Sequence, residues 1–194
     1  MPQNKVAEAN KAFSRTIQKA LSTLTVSQWQ VVNHPKKGEV IRLYALMPAL
    51  ILKDNNGKAQ YKLSAFIVTE VVAKDGGTGK RVKTREYIYQ IASNADGKAL
   101  YEFHWHPEKI DRNTLEPAKR KTGEKEPFPY PHTHVRAKDA RFEDLNKRHI
   151  PSGRVAFEDV AGFLIGDCSV VPNRADWQKI LTETRKEFDK TRNW

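Results

Sequence analysis

Lys98-Ala99-Leu100-Tyr101-Glu102-Phe103-His104-Trp105-His106 is the stretch whose reading decides the fold. In an extended strand, side chains at i and i+2 point to the same face. Ala99, Tyr101, Phe103 and Trp105 share one parity and are predicted to face a core. Leu100, Glu102, His104 and His106 share the other, where water, a ligand or a second layer can reach them. A second His-x-His pair follows in Pro131-His132-Thr133-His134-Val135. If both segments are strands and lie together, four imidazoles gather in one patch. Imidazole is the side chain that changes charge near neutral pH and the commonest metal ligand.

Upstream of this strand, three more stretches have strand character. They cover 39–53, where Pro48 is expected to interrupt or edge the strand, then 59–74 and 81–93. The turns between them are Asp54-Asn55-Asn56-Gly57, Asp75-Gly76-Gly77-Thr78-Gly79 and Asn94-Ala95-Asp96-Gly97. Short turns between consecutive strands predict an antiparallel meander. Before it, Val6, Ala9, Phe13, Ile17, Ala20 and Leu24 recur near the helical period. After it, Phe157, Val160, Ala161 and Leu164 step at helical spacing, with Gly166 as a stop. A last helix is predicted with Asn173 as its cap, Asp176 as the capping carboxylate, and Trp177, Ile180, Leu181, Thr184 and Phe188 as its buried stripe.

The pattern predicts one α+β domain over 1–194: an N-terminal helix in 1–27, a four- to five-stranded antiparallel meander sheet over 39–135, and two C-terminal helices in 152–194. The sheet carries a polar, basic insert at 109–125. Hydrophobic content of 39% and charged content of 29% fit a folded, soluble chain. No apolar run is long enough to cross a bilayer, and the lone Cys168 excludes an intrachain disulfide. A cytoplasmic protein without a membrane partner is the expectation.

The balance of 34 Lys+Arg against 23 Asp+Glu gives a net charge of +11, which points to a polyanionic partner. Arg112, Lys119, Arg120 and Lys121 in the insert, and Arg136, Lys138 and Arg141 after the second histidine pair, are candidate nucleic-acid contacts. Tyr101 and Tyr130 could stack bases if exposed. The proline-rich Pro127-Phe128-Pro129-Tyr130-Pro131 is stiff and delivers His132 and His134 in an extended segment.

Three chemistries fit the histidines. The first is metal-independent cleavage of RNA, with no cofactor, by His104, His106, His132 and His134 as general acid and base. His104 and His132 lead, Glu108 orients an imidazole, and Arg136 or Lys138 meets the phosphate. The second is a site for zinc or another divalent transition metal on the same four histidines. The third is a binding module without chemistry, in which the histidines hydrogen-bond across a polar sheet face.

The order of motifs resembles the TumE-type toxin family of prokaryotic toxin–antitoxin pairs over roughly 49–166. The resemblance is carried by Tyr101-Glu102-Phe103-His104-Trp105, Phe128-Pro129-Tyr130-Pro131-His132-Thr133-His134-Val135 and the 157–164 helix. It implies a small toxin neutralised by a partner antitoxin. The mode of action is expected from the residues: a toxin-like protein acting on nucleic acid, RNA first, as a metal-independent ribonuclease, with a zinc or iron enzyme or a non-catalytic nucleic-acid- or protein-binding module as the alternatives.

Overall fold

A computed structural model describes residues 2–35, 41–73, 79–107, 130–136 and 148–191. Helix α1 (Pro2–Leu21) is followed by β1 (Gln30–Pro35), β2 (Ile41–Lys53), β3 (Ala59–Ala73), β4 (Lys80–Ser93), β5 (Ala99–Trp105), β6 (His132–Val135) and β7 (Ile150–Pro151). Helices α2 (Phe157–Gly166) and α3 (Trp177–Thr191) close the chain. The strands lie in chain order, each antiparallel to the next. This is the predicted α+β meander with one helix before it and two after.

The sheet is wider than four or five strands. β1 is a short piece ending in proline, with too little alternation to stand out. β7 has two residues and exists only as the hydrogen-bonded neighbour of β6. Pro48 does not end β2. The register with β3 shifts between Met47 and Leu50, so the ladder skips the residue that has no N–H to give. The turns at 54–57 and 94–97 form as expected, with Gly57 and Gly97 at φ +75° and +69°. The turn expected at 75–79 falls mostly outside the described residues.

One sheet face carries the core. Leu63, Ala65, Ile67, Tyr87, Tyr89, Ile91 and Trp105 pack there against Phe13, Ile17, Leu21, Phe157, Leu164 and Phe188. Phe157 is fully buried, with its ring centroid 5.1 Å from Trp29 and 6.1 Å from Tyr89. Burying an aromatic of this kind stabilises by about 1.5–3 kcal/mol. Tyr101 and Phe103 meet Phe163 of α2 on this face. The Tyr87 hydroxyl accepts the Val155 N–H at 2.9 Å and ties the entry of α2 to the sheet. The face predicted for Trp105 is therefore the observed one.

Asn173 is not the cap of α3. Its backbone N–H and its Nδ2 donate to the carbonyls of Thr23 and Ser22, just beyond α1. The last carbonyls of a helix lack intrahelical partners, and these bonds satisfy the chain there. Asp176, whose carbonyl accepts the Ile180 N–H, stands immediately before α3, and its carboxylate accepts from Arg174.

Glu158 is 4% exposed beneath α3, where neither carboxylate oxygen has a hydrogen-bond partner among the described residues. The nearby Thr184 hydroxyl donates to the Ile180 carbonyl, and Arg185 is held by Asp159 and Asp189. Burial pushes the Glu158 carboxyl up from 4.5 to about 7. The native state then keeps this proton longer than the unfolded chain does, so stability falls as pH rises from 4.5 to about 7 and is level above. Glu158→Gln is expected to stabilise by about 1–3 kcal/mol at pH 8, with the gain vanishing near pH 4.5. Urea denaturation across that range measures it, and an unstabilised variant at pH 8 would contradict it.

Candidate functional site

The opposite sheet face, away from the three helices, carries the histidines. β4, β5 and β6 are in register there. Gln90, Glu102 and His134 form one cross-strand row, and Ile88, His104 and His132 form the next. Each strand contributes alternate residues to this face, so both His-x-His pairs fall on it together. Ring centroids of His104 stand 5.8 Å from His106, 5.5 Å from His132 and 5.2 Å from His134. His106 is 5.6 Å from His132.

A fifth imidazole joins them. His149 lies 4.7 Å from both His132 and His134. It has no His-x-His partner, so the sequence shows it only as part of a basic run. The pairing of β6 with β7 sets it there: Thr133 faces Ile150 and His132 faces Pro151, so one step further brings residue 149 to His134.

His104, His132 and His134 each offer a ring nitrogen, and the three atoms lie within 4.8 Å of one another. Around a tetrahedral ion bound at about 2.0–2.1 Å, neighbouring nitrogens would stand roughly 3.3 Å apart and ring centroids roughly 5 Å apart. The three observed centroid separations are 5.5, 5.2 and 5.1 Å. Small ring rotations would close the remaining distance.

Burial and hydrogen bonding prepare these rings. His132 is 1% exposed and His134 9%, His104 and His106 are half-buried, and His149 is exposed. The patch is thus less open than the sequence predicts: two of its rings lie beneath the others. His132 Nδ1 is 2.9 Å from the Tyr130 carbonyl. A carbonyl only accepts, so Nδ1 carries the proton and Nε2 the lone pair. His104 Nε2 and His134 Nδ1 are buried without a hydrogen-bond partner among the described residues.

Burial drives the His104 pKa down to about 4, opposed by Glu102 and reinforced by His134, His132 and His106. Burial also holds His132 below the usual imidazole value, against the Tyr130 carbonyl, with His149 and His106 adding to it. His134 is lowered by burial and then by His149, His132 and Arg136. In all three rings burial disfavours the protonated form, the form that cannot bind a metal. Burial would raise the Glu102 carboxyl, but hydrogen bonds from Arg136 and Gln90 hold it below the ordinary range.

The other expected site residues divide. Arg136 is at the site, but its guanidinium grips Glu102 Oε2, at 2.8 Å from Nη2 and 3.2 Å from Nε. Tyr130 is 65% exposed, as base stacking requires. Tyr101 is on the helix side against Phe163, so it cannot stack a base beside the histidines. Glu108, Arg112, Lys119, Arg120, Lys121, Lys138 and Arg141 lie outside the described residues, as do the prolines at 127 and 129. Glu102 is the residue that sequence reasoning passed over. Its parity with His104 was the available signal.

No family model matches the chain, and no curated protein or solved structure matches it.

Among the described residues, removing the Arg136 guanidinium leaves the Glu102 carboxylate with Gln90 as its hydrogen-bond donor. Arg136→Ala is expected to cost about 1–2 kcal/mol in urea denaturation, a value reduced because the guanidinium is itself half-exposed. Arg136→Lys should recover part of the loss. A cost indistinguishable from zero would show that Gln90 suffices.

Proposed function

We propose that His104, His132 and His134 hold a divalent transition metal in a toxin-like protein that cleaves nucleic acid, RNA first. The observation that carries this reading is the triad of ring nitrogens within 4.8 Å of one another, with imidazole separations fitting a tetrahedral set. An all-imidazole set suits zinc, copper, nickel or iron better than magnesium or calcium, which prefer oxygen. Three protein ligands leave a position for water or substrate, and a metal there would polarise a phosphoryl oxygen and acidify bound water. The exposed Arg148, next to His149 in the chain, and the net charge of +11 support a phosphate-bearing substrate. The resemblance to TumE-type toxins supports the setting, with an antitoxin as partner.

A second reading keeps the cleavage and omits the metal. It is favoured by His106 and His149, the two more open rings, which flank the buried set and could share acid and base roles.

Both readings are tested with one preparation. Metal analysis of the purified protein is expected to find one equivalent of a transition metal. Cleavage of a mixed-sequence RNA is expected to stop in excess EDTA and return with Zn(II) or another ion of this class. Cleavage that persists in EDTA would replace the first reading by the second. His132→Ala is expected to lower the rate by at least about 100-fold and to relieve growth inhibition in cells. A folded His132→Ala protein that keeps both activities would end the metal reading, and folded His106→Ala and His149→Ala proteins that keep them would end the second.

A further inference from the structure

Glu102 occupies a position that the triad itself does not explain. It precedes His104 by two residues on the same face of β5 and stands directly across from His134 on β6. One carboxylate therefore adjoins two of the three proposed ligands. It is 8% exposed, and its Oε1 lies 3.9 Å from His104 Nε2. That nitrogen is buried and has no hydrogen-bond partner among the described residues. A separation of 3.9 Å is too long for a hydrogen bond, so one would form only if the imidazole rotates toward the carboxylate.

Glu102 is itself held from two sides. Gln90 donates to Oε1 at 2.7 Å, from the neighbouring strand. Arg136 donates twice to Oε2, from the residue after β6. A long side chain pinned in this way has lost its rotamer freedom before any ion arrives, which is what a supporting residue needs. Glu102 does not belong to the set whose ligand atoms lie within 4.8 Å of one another, so its place is outside the coordination shell.

We infer that Glu102 is a positioning residue: it accepts the Nε2–H of His104, turning the other ring nitrogen of His104 toward the metal. This inference rests on the metal reading above. It parallels the Tyr130 carbonyl, which fixes the proton of His132 in the same manner. Metal-bound histidines commonly give their second N–H to a carboxylate or carbonyl, and losing that partner weakens binding by about 10–100-fold. Glu102 also offsets part of the ion's charge from outside the ligand shell.

The test is titration of metal-stripped full-length protein with Zn(II) and with Co(II), the second read by its visible absorption. Wild type, Glu102→Ala, Glu102→Gln and His132→Ala are compared. Glu102→Ala is expected to lose about 10–100-fold in affinity while keeping the position of the Co(II) bands, because the ligands are unchanged. Glu102→Gln keeps an acceptor oxygen and the Gln90 bond, so its loss should be smaller. It also guards against a fold defect in the alanine variant. His132→Ala should abolish stoichiometric binding. Wild-type affinity in folded Glu102→Ala or an unweakened Glu102→Gln would overturn the positioning role while leaving the metal centre standing. Shifted Co(II) bands in Glu102→Gln would overturn it in favour of direct ligation. A wild-type protein that binds neither ion would overturn the metal reading, and this inference with it.

Discussion

The hydrogen-bonded register of β4, β5 and β6 is the constraint on which the site depends. It sets His104 opposite His132 and Glu102 opposite His134, with Ile88 and Gln90 completing the two rows. A pleated strand alternates its faces with period two, so a slip of one residue would send every histidine to the helix side. The same slip would put Tyr101, Phe103 and Trp105 on the other face. Packing of Tyr101 and Phe103 against Phe163 of α2, with burial of Trp105 beside Tyr87, therefore fixes the position of the imidazoles. The core on the helix side thus holds the site in place through the register of the strands.

This division of labour between faces settles an energetic conflict. Crowding five imidazoles at centroid separations near 5 Å is unfavourable for any protonated state, and burial adds to the penalty. The stabilisation comes from the opposite face, where Phe157, Leu164, Ile91 and Leu63 are fully buried. Polar supports limit the remaining cost. The Tyr130 carbonyl holds His132, and the Gln90–Glu102–Arg136 network stands beside His104. A cluster of this kind is costly for stability alone, and it is the sort of local conflict that marks a functional site.

Reading the chain went furthest where a period was long enough to see. The alternation around Tyr101 to His106 placed both faces correctly, and the buried stripe Ile180, Leu181, Thr184 and Phe188 was visible at helical spacing. It failed where an element has no pattern of its own. β7 has two residues, and β1 is short and ends at proline. Asn173 has a good cap sequence, yet the open carbonyls at the end of α1 claim it. Arg136 looked like a free cation until the fold set Glu102 beneath it. His149 carried no local mark at all.

The sequence by itself determined the fold class, the two faces of β5 and the membership of the two His-x-His pairs. Each of these follows from local periodicity, and periodicity is written in neighbouring residues. The tertiary structure alone decided that the pairs meet in register, that His149 completes the group, that two rings are buried, and that Glu102 stands between Gln90, Arg136 and His104. Those are contacts set by how separate strands align, fixed by ladder hydrogen bonds and core packing, and local periodicity does not encode them.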